Sequence, residues 1–379
     1  MQKIPITRPF FERDIEGILR DARTILKTGR LIRGPFTEKF EREFAEYIGV
    51  KHAIAVNSCT TALTICMRYF KVKDREVVVP TNTFISCPNS VIFAEGRPVL
   101  ADMNPETLCM DAGEAAKRIT SKTKGVMAVH IAGMACPDIN EMKQMCEDKG
   151  LFLMEDVAHA HGAMIGRKKA GSIGDAACFS FYPTKVISTM TGGMITTNDS
   201  KLDDFARSVR HFGGGGNLNE IVEFGNDWVI SEMSAMLGTY QLKRLEEYIK
   251  ARNDIANRYT KEISKMKNIR PPFIPAGVRH SYYRYATLLS KNVKAEALAK
   301  RLKDRHGIET GSIYNPPCHL QPLYKKIFGY KKGMFPVADD ILPRVLCLPL
   351  FVGLKNEQID YVIGCLKEEL ENDSNYSSG

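Results

Sequence analysis

From residue 50 to about 200 the chain alternates short apolar, largely β-branched runs with longer stretches of helical periodicity. A chain patterned this way most readily buries its apolar residues in a mainly parallel sheet covered by helices. The candidate strands are AIAV (53–56), EVVVP (76–80), PVLAD (98–102), GVMAVH (125–130), LFLMED (151–156), ACFSFY (177–182) and GMITTN (193–198). Together they predict one seven-stranded sheet in an α/β fold. Residues 231–264 carry apolar side chains at helical spacing and read as a long helix, or a broken pair, leaving the sheet. Beyond it come a strand, YYRYATLL (282–289), a helix around 294–305 and a closing helix, NEQIDYVIGCLKEELE (356–371). The expected organisation is a large domain over residues 1–245 and a smaller α/β domain over 246–379, which suits a length of 379 residues. The Gly213 to Gly216 run marks a flexible loop, with a plain surface connection as the alternative.

Composition excludes several classes of protein. With 44% hydrophobic and 26% charged residues and no apolar run of roughly 18, nothing is expected to span a membrane. The first thirty residues mix acids and bases without an apolar core, so they do not read as a signal peptide, and residence in the cytoplasm is the expectation. Ten cysteines are scattered with no C-x-x-C pair, a pattern of reduced, structural thiols. The net charge of +9 suits an anionic partner. Its cations are dispersed and no basic cluster with interleaved aromatics occurs, so a phosphorylated metabolite or nucleotide sugar ranks above nucleic acid.

Polar and small residues collect where the predicted strands end: Asn57 to Thr60, Asp102, His130, Asp156 and Lys185. In open α/β sheets ligands bind outside the carboxyl ends of strands, so these positions form one candidate site. The run SFYPTK places Lys185 just beyond a buried strand. Partial burial disfavours an ammonium and leaves an amine ready to form a Schiff base with an aldehyde cofactor; a solvated surface lysine is the alternative. In MEDVAHAHG, Asp156 ends a strand where its carboxylate can pair with the protonated ring nitrogen of pyridoxal phosphate, or serve as a helix cap. The run VNSCTTAL aims backbone N–H groups and a positive helix end at a phosphate, ordinary N-capping being the alternative. His159 and His161 lack the companion ligand spacing of a zinc site, and no metal is expected.

These stretches give the chain its resemblance to the DegT/DnrJ/EryC1/StrS aminotransferases, the sugar-aminotransferase branch of the fold type I, aspartate-aminotransferase-like enzymes. The matching segments are RGPFTEKFEREFAEYIGVKHAIAVNSCTTAL, PTNTFISCPNSVIFAEGRPVLADMNPET, MEDVAHAHGAMIGRKKAGSIGDAACFSFYPTK, GIETGSIYNPPCHLQPLY and VLCLPLF, in the family's order. The resemblance implies pyridoxal 5'-phosphate as cofactor, with Lys185 as the Schiff-base lysine and proton shuttle and Asp156 as the ring-nitrogen partner. It implies that Thr60, the backbone at Cys59, and Ser180 hold the phosphate, that Phe84 stacks on the cofactor ring and that His159 reaches the ring hydroxyl. Arg33, Tyr314 and His319 lie in stretches that flank the substrate in relatives.

The reaction so implied moves an amino group from an amino acid, L-glutamate, to a keto-sugar, a nucleotide-linked 3- or 4-keto-(deoxy)sugar. It belongs to amino-sugar, polysaccharide or antibiotic biosynthesis. A homodimer with shared sites is implied as well. A cyclitol or other cyclic ketone as acceptor, and a non-catalytic cofactor-binding regulator, are the alternatives. The related sugar dehydratases carry His at the lysine position, so Lys185 argues against that branch. The chain departs from the family where an Asn-aromatic-Arg run commonly reaches the neighbouring subunit's site: the aligned residues are Asp227, Trp228 and Val229, so either Asn226 takes the cofactor-binding place of the Asn with a one-residue shift or the subunit contact differs. Met190 and Thr191 stand where Gly and an acid are frequent.

Overall fold

The computed structural model describes residues 3–215 and 219–376. Gly216, the end of the glycine run, lies outside them. All seven predicted strands form: β1 (His52–Val56), β2 (Glu76–Pro80), β3 (Arg97–Ala101), β4 (Thr123–Val129), β5 (Phe152–Asp156), β6 (Ala176–Ser180) and β7 (Gly193–Thr197). They make one sheet in the order β1-β7-β6-β5-β4-β2-β3. Of the seven, β7 alone runs against its neighbours. Consecutive buried residues, such as Val77, Val78 and Val79 in β2, leave no polar face on the central strands. That is the mark of a sheet covered by helices on both sides.

This topology gathers the carboxyl ends of six strands at one edge. Asp156 closes β5 and pairs in register with Val129 of β4 and Cys178 of β6. Because β7 runs the other way, its first residue reaches the same edge, where Gly193 pairs with both Val56 and Ser180. A Cβ at Gly193 would stand 2.4 Å from the carbonyl of Ser58 and 2.6 Å from the nitrogen of Cys59. Glycine is therefore required for the 58–60 loop to approach the sheet so closely.

Residues 231–264 form one unbroken helix, Glu232–Ile263, rather than a pair. Its first residue also organises the N-terminal region: the buried Glu232 carboxylate accepts the backbone N–H groups of Gly34, Phe36 and Thr37, each at 2.9 Å, at the start of helix Pro35–Ile48. Beyond it, Tyr285–Leu289 is flanked antiparallel by Ile269–Arg270 and Val345–Leu348. This small sheet packs with helices Ala295–His306 and Asn356–Tyr376 in a second core. The division expected at 245/246 falls inside the long helix. The amino-terminal Ile4 packs in the second core and exchanges backbone hydrogen bonds with Gly307 and Glu309. All ten cysteines are buried and unpaired. Among the described residues no helix is long and apolar enough to cross a membrane.

Candidate active site

A cavity of ≈ 490 Å³ opens at the gathered strand ends. Eight of the residues singled out in the sequence line it: Cys59, Thr60, Phe84, Asp156, His159, Ser180, Lys185 and Tyr314. Cys59 and Thr60 form the first turn of helix Cys59–Tyr69, whose cap, Ser58, accepts the N–H of Thr61. Thr60 Oγ1 lies 2.8 Å from Ser86 Oγ. With Ser180 at the end of β6, these groups make a polar seat at a helix N-terminus, the usual place for a phosphate.

Asp156 is 5% exposed. Its Oδ1 accepts the Ala158 N–H at 2.8 Å, and its Oδ2 accepts the Cys87 thiol at 2.7 Å. The carboxylate is thus fixed at two points. Lys185 follows the tight turn after β6, its N–H bonded to the Tyr182 carbonyl at 2.9 Å, and its Nζ stands 4.7 Å from the centre of the Tyr283 ring. His159 stacks on that ring at 4.2 Å and shares a 2.8 Å hydrogen bond, through Nε2, with the Tyr314 hydroxyl. Burial, with Lys185 and Arg284 nearby, holds the His159 imidazole well below the usual histidine range. The ring is therefore neutral. Burial would raise the Tyr283 phenol, but Lys185 and Arg284 beside it outweigh this and lower it. Phe84 is half exposed over the cavity, its ring 6.0 Å from that of Tyr314.

Other expected residues fall elsewhere. His319 is fully buried, with Nδ1 2.7 Å from Thr81 Oγ1 and Nε2 3.1 Å from Asp339, so it ties the end of β2 to helix Pro336–Ile341 rather than lining the cavity. Arg33 lines a separate cleft and donates to His211 Nδ1 at 2.8 Å. Asn226 is exposed, hydrogen-bonded to Val209 and Phe212 through its backbone, and outside the cavity lining; Asp227 bridges to His211. Asp102 and His130, grouped with the site by strand position, are structural. Asp102 accepts the N–H groups of Val337 and Ala338 at the start of helix Pro336–Ile341. His130 accepts the Cys136 N–H at Nδ1 and donates from Nε2 to the Glu155 carboxylate. Sequence reading passed over Tyr283 and Arg284, although an arginine inside the apolar run YYRYATLL was a visible signal.

Glu155, the residue before Asp156, is fully buried and accepts the N–H groups of Gly171, Ile173 and Gly174 besides its bond to His130. Burial would raise this carboxyl, but His130 and the glycine N–H groups outweigh it and hold it below the usual glutamate range. A carboxyl lowered on folding stabilises the protein above its unfolded pKa of about 4.3 and loses that contribution as pH falls through the folded value. Thermal melts should show Glu155→Gln far less stable than wild type at neutral pH. The gap should narrow on acidification below about pH 4; a gap independent of pH would show that Glu155 is not the ionised anchor.

Three strand-end elements, a lysine amine, a doubly held carboxylate and a helix N-terminus, converge on one cavity of a mainly parallel seven-stranded sheet. They fit pyridoxal 5'-phosphate: the close approach that Gly193 permits would cradle its phosphate, and Asp156 and Lys185 line the same cavity as candidates for its ring nitrogen and aldehyde. Fold and site together define a pyridoxal-phosphate enzyme of fold type I. The chain belongs to the DegT/DnrJ/EryC1/StrS aminotransferase family, whose model matches residues 12–367. It is 34% identical over 365 residues to the spore coat polysaccharide biosynthesis protein SpsC of Bacillus subtilis, covering 92% of this chain and 93% of the relative. It is 34% identical over 351 residues to GDP-perosamine synthase of Caulobacter vibrioides, covering 89% and 91%. Among solved structures, the PLP form of Spr1654 from Streptococcus pneumoniae superposes with a TM-score of 0.91 at 26% identity, covering 98% of this chain and all of the other. The chain is accordingly a pyridoxal-phosphate-dependent aminotransferase.

Proposed function

We propose that the enzyme moves an amino group from L-glutamate to a keto-sugar carried on a nucleotide. The observation that carries this reading is the joint placement of Lys185 and Asp156 in one cavity with a phosphate seat, in a chain whose relatives include enzymes named for GDP- and dTDP-linked amino sugars. Pyridoxal phosphate, when bound, supplies an aldehyde that takes up an amine and a ring that spreads the electron pair left when a proton departs the neighbouring carbon.

The protein's own groups do the rest. Lys185 Nζ carries the proton to and from the substrate carbon as general base and acid. Asp156, held by Ala158 and Cys87, keeps a proton on the ring nitrogen. Thr60, Ser180 and the backbone of Cys59 hold the phosphate at the helix end. Phe84 covers the ring and excludes water, while neutral His159, oriented by Tyr314 at Nε2 and by a long bond from the Ala132 N–H at Nδ1, stands toward the ring hydroxyl. A homodimer fits the exposed apolar side chains Leu19, Leu26 and Phe224. Residence in the cytoplasm fits ten unpaired thiols.

The test is spectroscopic. Adding L-glutamate to the cofactor-loaded enzyme should bleach its lysine-dependent visible band with release of 2-oxoglutarate, and a nucleotide-linked 3- or 4-keto-sugar should restore it. A band that no amino acid bleaches would overturn the aminotransferase reading for this chain. Bleaching followed by recovery with a cyclitol ketone alone would move the acceptor to that class.

A further inference from the structure

Three charged side chains line the cavity: Asp156, Lys185 and Arg284. The first two have tasks in the proposed reaction, and Arg284 has none. Its backbone is pinned by an N–H bond to the Ala132 carbonyl at 2.9 Å, just ahead of strand Tyr285–Leu289. Its guanidinium lies 4.6 Å from the centre of the Tyr283 ring, with Nη2 3.4 Å from the Tyr283 hydroxyl. Nη1 is buried and has no hydrogen-bond partner. Of the other enclosed arginines, Arg210 and Arg252 also leave a buried Nε unpartnered, but their terminal nitrogens meet carboxylate or carbonyl oxygens and neither lines the cavity. Arg210 pairs with Glu41, Arg207 with Glu41 and Asp203, and Arg252 donates to the carbonyls of Tyr282 and Leu350. No carboxylate among the described residues stands within ion-pair distance of Arg284.

A partly buried cation without a counter-charge is unfavourable unless a ligand supplies one. Here the same aromatic ring lies beside both the Arg284 guanidinium and Lys185 Nζ, so Arg284 stands close to the reacting position. A guanidinium with Nη1 unsatisfied and Nη2 held only by a long bond to a phenol matches a carboxylate, which such a fork can grip through two parallel hydrogen bonds. We propose that Arg284 recognises a substrate carboxylate in this cavity. The inference rests on reading the cavity as the aminotransferase site. The amino donor brings a carboxylate to the carbon on which Lys185 acts, and an acceptor derived from a sugar acid would bring the same chemistry.

The experiment uses cofactor-loaded wild type, Arg284→Met and Arg284→Lys, with calorimetric binding of two unreactive probes. Glutarate stands for the donor, and UDP-glucuronate, compared with UDP-glucose, stands for an acidic acceptor. Retention of the visible cofactor band shows that a variant is folded and loaded, and Arg284→Lys provides a charge-keeping variant should Arg284→Met fail that check. Removing the charge-assisted pair should weaken glutarate binding about 30-fold or more, with partial recovery in Arg284→Lys. A selective loss for UDP-glucuronate instead supports the same residue with the acceptor as its source. Unchanged binding of both probes overturns the proposal. If wild type binds glutarate through Arg284 yet no amino acid bleaches its band, the carboxylate site stands and the aminotransferase reading fails.

Discussion

Replacing Lys185 with alanine is expected to lower turnover by at least about 10⁴-fold, since the variant loses both the amine that engages the cofactor and the group that moves the proton. Cofactor binding should survive. The phosphate seat at Cys59, Thr60 and Ser180 and the Asp156 carboxylate are built on other strands and hold their geometry without the lysine. In the structure the Lys185 chain ends over the Tyr283 ring, on the far side of a short turn anchored by Tyr182, so truncation removes no core contact. The variant should therefore melt close to wild type, retain pyridoxal phosphate without the lysine-dependent visible band, and exchange no amino group between glutamate and 2-oxoglutarate. Turnover within tenfold of wild type would remove Lys185 from the chemistry, however well the geometry places it.

Much of this site was legible in the sequence because the residues concerned sit at strand ends. A strand fixes the position of its last residue to within the pleat, and the parallel order brings those ends to one edge. Asp156, Ser180 and the 58–60 turn follow from that rule, and Lys185 follows one tight turn later. Residues beyond that geometry were harder to place. Asp102 and His130 also close strands, but Asp102 is taken by the N–H groups of helix Pro336–Ile341 and His130 by Glu155, partners more than 20 residues away in the chain. His319 belongs to a segment packed in the first core, and its two nitrogens are already satisfied by Thr81 and Asp339. Asn226 and Arg33 lie on connections whose course depends on tertiary contacts rather than on periodicity. Arg284 was hidden for the opposite reason: its neighbours read as a strand of the small domain, and only the docking of that strand against Ala132 brings it to the cavity. The single long helix likewise could not be told from a broken pair by periodicity, which both would share.

The second large effect concerns Asp156. Asn at this position keeps the size of the side chain and an oxygen for the Ala158 N–H, but removes the charge proposed to retain a proton on the cofactor's ring nitrogen. It also turns a donor toward the Cys87 thiol, which now donates to Oδ2 while accepting from the Thr83 hydroxyl. With the carboxylate 5% exposed, water cannot substitute for the lost charge. Asp156→Asn should therefore keep the visible band and near-normal cofactor affinity while kcat for the glutamate half-reaction falls by about 10³-fold, the scale of losing one preorganised electrostatic contact to a developing charge. Asp156→Glu restores the charge on a longer arm that the Ala158 and Cys87 contacts do not fit, so it should recover only part of the rate. Stopped-flow bleaching of the band by L-glutamate measures both variants. An Asn variant within threefold of wild type would mean that the ring works without a fixed counter-ion, and the reason for burying Asp156 would then be structural.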